Sequence, residues 1–197
     1  MWASFLGLAP ERCHLVEACP VNHGLLGQRF PGAKTYNYGI SDHDGTISLY
    51  VIDKPSDEGT SRSNTTDPAV LKAKSAITLS HLLDLAKIDR CDLLHINCEG
   101  SEYDILGGDV TFLDRVSLLE LDLHEGLFQG ARTHSQTVEK RVAIYDLLEG
   151  RGFVRLGGHG RKHLSSATQH LSSFWEKASD IPARGALAMI HEPRPSA

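Results

Sequence analysis

Leu93-Leu94-His95-Ile96-Asn97-Cys98-Glu99-Gly100-Ser101-Glu102 is the stretch whose reading decides the fold. Leu93 to Ile96 is a nearly continuous apolar run, the pattern of a parallel strand buried on both faces. Polar residues then break the run at Asn97, Cys98 and Glu99, and Gly100 permits close backbone approach. A carboxylate at such a strand end can orient a substrate hydroxyl or take its proton. Glu99 can equally cap the short helix expected over residues 101–107, because carboxylates are favoured near helix N-termini.

Working outward, strand and helix patterns alternate, which predicts an α/β sheet. Upstream, Cys13 to Glu17 is a short strand. Residues 21–30 are helical and stop at Pro31-Gly32. Thr35 to Ile40 is a second strand. Thr46 to Ile52 is a third, a hairpin partner for the second across the Asp44-Gly45 turn. Residues 53–68 form one long polar loop, and Thr78 to Lys87 carries leucines at helical spacing. Downstream, Val116 to His124 is a strand, residues 135–150 are an amphipathic helix, and Phe153–Leu156 and Ala186–Ile190 are the last strands. Residues 1–8 read as the end of a helix. No repeat or boundary divides residues 1–197, so a single domain is expected.

Composition narrows the function. The net charge of −5 argues against a nucleic-acid partner, which needs a basic face. No stretch approaches the roughly 20 apolar residues of a membrane span, and no positive n-region marks a signal peptide. The expectation is a cytoplasmic protein with no membrane or nucleic-acid partner. Cys13, Cys19, Cys91 and Cys98 form no Cys-x-x-Cys pair, which predicts buried free thiols. No metal is expected; His159 and His163 lie four apart in a Gly-rich loop without a helix to align them.

Candidate site residues gather at strand ends, where open α/β sheets bind ligands. Glu17 ends the first strand, and its two oxygens can accept from both hydroxyls of a ribose. By itself a strand-end Glu is an ordinary surface residue. Asn37-Tyr38-Gly39-Ile40-Ser41-Asp42 offers small residues and backbone groups for a flat adenine, or a simple turn. Asp122 and His124 lie two apart, hence on one face of their strand. His124 can act as a base.

The order of these pieces resembles the FkbM family of methyltransferases. The family's acidic strand end followed by Pro and Asn is matched by Glu17-Ala18-Cys19-Pro20-Val21-Asn22. Its Asn-x-Ala-x-Ser-Asp-like segment is matched by Asn37 to Asp42, its Thr-Leu helix start by Thr78-Leu79. Its most diagnostic run, Lys-Ile-Asp-Val-Glu-Gly-x-Glu with a later Leu and Gly, is matched by His95 to Glu102 with Leu106 and Gly107. Its Glu-x-His strand end is matched by Asp122-Leu123-His124. The resemblance spans about residues 2–156. It implies a Rossmann-like methyltransferase sheet, S-adenosylmethionine as cofactor, and transfer of a methyl group to a hydroxyl of a small molecule or sugar. It implies that Glu17 holds the ribose, that Gly39, Ile40 and Ser41 lie near the adenine, and that Asn97, Glu99 and His124 line the reacting end, with Asn97 also touching the cofactor. A homo-oligomer is compatible with it.

Two departures accompany the resemblance. The family's Lys and Asp in the central run are His95 and Asn97, and an Asn cannot act as a base. The family also opens with a first strand and a glycine-rich turn, Asp-x-Gly-Ala-x-x-Gly, and this chain starts after that point. N-terminal truncation is the favoured reading, ahead of completion by another chain or direct pairing of the flanking strands. Both departures keep a second function in view: a non-catalytic interaction protein on a methyltransferase fold.

Overall fold

A strand, a helix and a parallel strand open the described chain: β1 (His14–Val16), α1 (Pro20–Arg29) and β2 (Lys34–Tyr36). The computed structural model describes residues 9–50, 71–98, 100–124, 134–160 and 170–180. It divides into two compact units, Met1–Leu79 and Ser80–Ala197. Each is mixed α/β, and each is described by itself. The expected helix end at residues 1–8, the loop at 53–68 and the strand at 186–190 lie outside the described residues.

In the first unit, Pro20 begins α1 because its fixed φ suits the first helical position and its missing N–H is not needed there. Gly32, at φ +94°, turns the chain into β2. After β2 come β3 (Gly39–Ile40), β4 (Gly45–Tyr50) and β5 (Leu71–Ile77), with β5 in the middle, parallel to β3 and antiparallel to β4. Two expectations need correction. The single strand predicted over Thr35–Ile40 is two, β2 and β3, on different sheets. At the break, the Asn37 side chain donates to the carbonyls of Glu17 (2.8 Å) and Ala18 (3.3 Å), which turns the chain away from β1. The partner of β4 is β5, not the second strand. The Asp44 carboxylate, which accepts the Thr78 N–H at 2.8 Å, ties the turn before β4 to the end of β5.

The second unit starts with α2 (Leu79–Leu85), whose first residue closes the first unit. It continues through β6 (Cys91–Ile96), α3 (Glu102–Ile105), β7 (Val116–His124), α4 (His134–Gly150), β8 (Phe153–Gly158) and β9 (His170–Lys177). The sheet order is β6-β7-β9-β8, with β6 and β7 parallel and the other pairs antiparallel. Strand β9 was not expected as a strand; the sequence there reads as a connection around Phe174-Trp175.

Alternation along β7 and β9 builds the core. Leu119, Leu121, Leu123, Leu171, Ser173 and Trp175 share one face and are buried. Burying each leucine contributes roughly 1.5–3 kcal/mol. The stripe Thr137, Arg141, Ile144, Tyr145 and Leu148 of α4 is buried at helical spacing. The opposite face of β7 is polar, with Glu120 and Asp122 both under a tenth exposed. Leu93 and Leu94 are half-buried, not buried as expected, and among the described residues β6 pairs only with β7. All four cysteines are free, and Cys19 alone of them is buried.

Candidate functional site

Glu17 follows β1 directly, at its carboxyl end. Its Oε1 accepts the Cys19 N–H at 2.7 Å, and the Asn22 side chain and the Ala18 N–H bind the same carboxylate. Burial pushes the Glu17 carboxyl up; these three donors and the nearby His23 imidazole pull against burial. The turn is anchored from the other side by Asn37, whose Oδ1 accepts from the Lys74 ammonium. His23 sits in the first turn of α1, its N–H donating to the Cys19 carbonyl at 2.9 Å. Its ring Nε2 is buried and has no hydrogen-bond partner among the described residues. Gly39, Ile40 and Ser41 follow the Asn37 turn. A Cβ on Gly39 would lie 2.2 Å from the Ile47 side chain, so the space that the missing side chain leaves belongs to strand packing.

The second unit brings two further groups to the carboxyl ends of β6 and β7. Glu102, fully buried at the start of α3, folds its side chain back over the loop before it. Oε1 accepts the Cys98 N–H at 2.6 Å and Oε2 accepts the Gly100 N–H at 2.8 Å. Gly100 is at φ +106°, a conformation that favours glycine. His124 Nδ1 lies 3.0 Å from Glu102 Oε1. A carboxylate at that distance selects the tautomer with its proton on Nδ1, and leaves a lone pair on Nε2. This arrangement can take a proton.

Beside this pair, on the polar face of the sheet, Asp122 joins three side chains. His95 Nε2 is 3.3 Å from Oδ2, Asn97 Nδ2 is 3.5 Å from the same oxygen, and the Ser172 hydroxyl donates to Oδ1 at 2.5 Å. Glu120 lies 3.9 Å from His95 Nδ1, and burial raises its carboxyl pKa. Among the described residues no group of His, Cys, Asp and Glu is placed to hold a metal ion, and no helix is long and apolar enough to cross a membrane.

A family model, the methyltransferase FkbM domain, matches residues 1–155. This chain belongs to the FkbM methyltransferase family. The match runs across both units. No curated protein and no solved structure matches the chain.

In this FkbM domain the candidates fall into two groups. Glu17, Gly39, Ile40 and Ser41 lie in the first unit; Asn97 and His124 lie in the second. Glu99 lies outside the described residues. Sequence reasoning missed Glu102. Glu102 was legible as a carboxylate in the first turn of a helix, the place where it can reach upstream N–H groups.

The two positions of the central run that differ from the FkbM pattern share one partner, since His95 and Asn97 both reach Asp122. The hydrogen bond with Asp122 raises the His95 pKa against the opposing effect of burial, and Glu120 adds to the rise. The folded state therefore favours the imidazolium. Its contribution is complete below the unfolded value of about 6.5 and is lost as pH rises through the raised folded value. We expect the stability gap between the parent chain and His95→Gln, measured by urea unfolding from pH 6 to 9, to shrink as pH rises. A gap that does not change with pH would exclude an ionic role for His95.

Proposed function

We propose that this protein transfers a methyl group from S-adenosylmethionine to a hydroxyl of a small molecule or sugar, on a Rossmann-like methyltransferase architecture. The observation that carries the hydroxyl reading is the His124–Glu102 pair at the carboxyl end of two parallel strands. Ligands of open α/β sheets bind at that end. The Glu17 turn fits the cofactor's ribose. Its carboxylate has about four acceptor positions, and the Cys19 N–H donates to Oε1. Glu17 would hold the ribose, with Gly39, Ile40 and Ser41 toward the adenine and Asn97 near the reacting end.

When bound, S-adenosylmethionine supplies an already electrophilic methyl group. The chain's task is then to hold the acceptor oxygen and to remove its proton. His124 Nε2 takes the proton, and Glu102 stabilises the resulting imidazolium through Nδ1–H. Asn97 cannot be a base; its amide, shared with Asp122, positions. Asn97 also favours a second reading, a non-catalytic relative that keeps the fold for interaction.

Calorimetry with S-adenosylmethionine, followed by detection of S-adenosylhomocysteine formed with a panel of sugars and hydroxylated small molecules, tests both. Binding with turnover is the expected result. Binding without turnover on any hydroxyl acceptor supports the second reading. No binding by the folded chain would sink the methyltransferase assignment for this chain.

A further inference from the structure

We propose that Ser172, acting through Asp122, is the positioning residue that turns the Asn97 amide with its carbonyl oxygen outward, so that Asn97 accepts a hydrogen bond from a hydroxyl of the methyl acceptor. The inference rests on the function proposed above. Three elements of the second unit bring the groups together. Strand β9 carries Ser172, β7 carries Asp122, and Asn97 follows β6 at its carboxyl end. Antiparallel pairing sets Ser172 directly opposite Asp122. The Ser172 hydroxyl donates to Asp122 Oδ1. The other carboxylate oxygen, Oδ2, faces Asn97 Nδ2 at 3.5 Å and His95 Nε2 at 3.3 Å. Ser172 is itself fixed by the end of β8. Its N–H donates to His159 Nδ1 at 3.2 Å, and its carbonyl accepts the His159 N–H at 2.7 Å. Gly158, at φ +80°, makes this approach possible, since a Cβ there would lie 2.4 Å from the Ser172 carbonyl oxygen.

An ionised carboxylate only accepts hydrogen bonds, whereas an amide has a donor end and an acceptor end. Asp122 Oδ2 therefore selects the Asn97 amide orientation with NH2 toward β7, and Oδ1 faces away from Asp122. Asn97 is exposed, and among the described residues its side chain makes no other hydrogen bond, so a ligand can reach Oδ1. A hydroxyl satisfies that oxygen by donating to it; an ether or a carboxylate does not. Without the Ser172 hydroxyl, the Asp122 carboxylate is free to turn about its Cβ–Cγ bond. The Asn97 amide can then flip by half a turn with no change of shape, and presents NH2 instead.

The first test needs no ligand. In proton–nitrogen correlation spectra of the 197-residue chain, the Asn97 side-chain signal is identified by its loss in Asn97→Ala. Ser172→Ala should move that signal toward the position of a freely exposed asparagine, and Ser172→Thr, which keeps the hydroxyl, should restore it. A signal indifferent to Ser172→Ala overturns the positioning role, whatever the activity. The second test is kinetic, with the sugar of the panel that turns over fastest. Its kcat/KM should fall about fivefold in Ser172→Ala, the factor that one net hydrogen bond carries, and recover in Ser172→Thr. In an Asn97→Ala background, Ser172→Ala should cost nothing further, because its effect runs through Asn97. A full further loss there is the mark of a merely structural role and overturns the proposal. Calorimetry with S-adenosylhomocysteine should give the same affinity for the parent and Ser172→Ala. A loss of that affinity instead turns the Asn97 oxygen toward the cofactor and overturns the assignment to the acceptor. If the parent turns over nothing in the panel, the proposed function fails and the acceptor assignment with it, while the spectra still decide whether Ser172 positions Asn97.

Discussion

Trp175→Ala should destabilise the second unit by about 3–5 kcal/mol, the usual range for removing a large aromatic from a packed core. Trp175 is 1% exposed, the largest fully buried side chain of the described residues. It lies in β9 between Leu119 of β7 and Arg155 of β8. Its ring meets Tyr145 of α4 edge-on, with centroids 4.8 Å apart, so one side chain joins the sheet to the helix that covers it. An edge-to-face pair is worth roughly 0.5–1.5 kcal/mol beyond area burial. The indole N–H also donates to the buried Ser173 hydroxyl at 2.9 Å. Trp175→Phe keeps an aromatic against Tyr145 but gives up that bond and some volume, so it should cost clearly less than the alanine variant. Urea unfolding followed by far-UV circular dichroism measures both. Since whole domains are stable by about 5–15 kcal/mol, the alanine variant should be mostly unfolded at temperatures that the parent tolerates. A loss below about 1 kcal/mol would mean that β9 does not carry the core.

Sequence patterns reached much of this framework and stopped at identifiable points. Strand β7 was legible to its ends because its apolar alternation is long and unbroken. Helix α1 was legible because Pro20 and Pro31-Gly32 punctuate it. Strand β9 was not, although Leu171, Ser173 and Trp175 alternate inward. Two of its positions are serines, and Ser173 is buried only because Trp175 and the Leu121 carbonyl satisfy its hydroxyl. Strand β5 escaped for a related reason: Lys72 and Lys74 make it read as polar, while its identity comes from pairing with β3 and β4 on its two edges. At the candidate site, strand-end positions pointed to Glu17, Asn97 and His124 one at a time. What the sequence could not show is who holds whom. Glu102 reads as a helix residue, and only folding brings its carboxylate to the Cys98 and Gly100 amides and to His124.

That relationship sets the largest expected effect on activity. His124→Asn should lower kcat by about 10²–10⁴, the range lost when a general base is removed. The asparagine amide can stand where Nδ1 stood and still donate to Glu102 Oε1, while no nitrogen remains at the Nε2 position to take a proton. The variant should therefore fold as the parent does. Glu102→Gln acts on the same base indirectly. Turned to place its oxygen at the Oε1 site, the amide still accepts from Cys98 N–H and from His124. Its NH2 then faces the Gly100 N–H, two donors opposed in a buried place. Leaving a buried donor unsatisfied costs about 1–3 kcal/mol, and the resulting shift of the loop and of His124 should cut kcat by roughly one or two orders of magnitude, since a buried-site misplacement of about 1 Å can cost 10²-fold. Residues that act as a unit do not lose activity additively. The double variant should therefore be no slower than His124→Asn alone. Initial rates of S-adenosylhomocysteine formation, with the best acceptor from the panel and saturating cofactor, measure all three. Multiplicative losses would separate Glu102 from His124 and leave Glu102 as support for the loop only. An unchanged kcat in His124→Asn would move the base elsewhere, with Asp122, already bonded to His95, Asn97 and Ser172, the nearest carboxylate on the same face of β7.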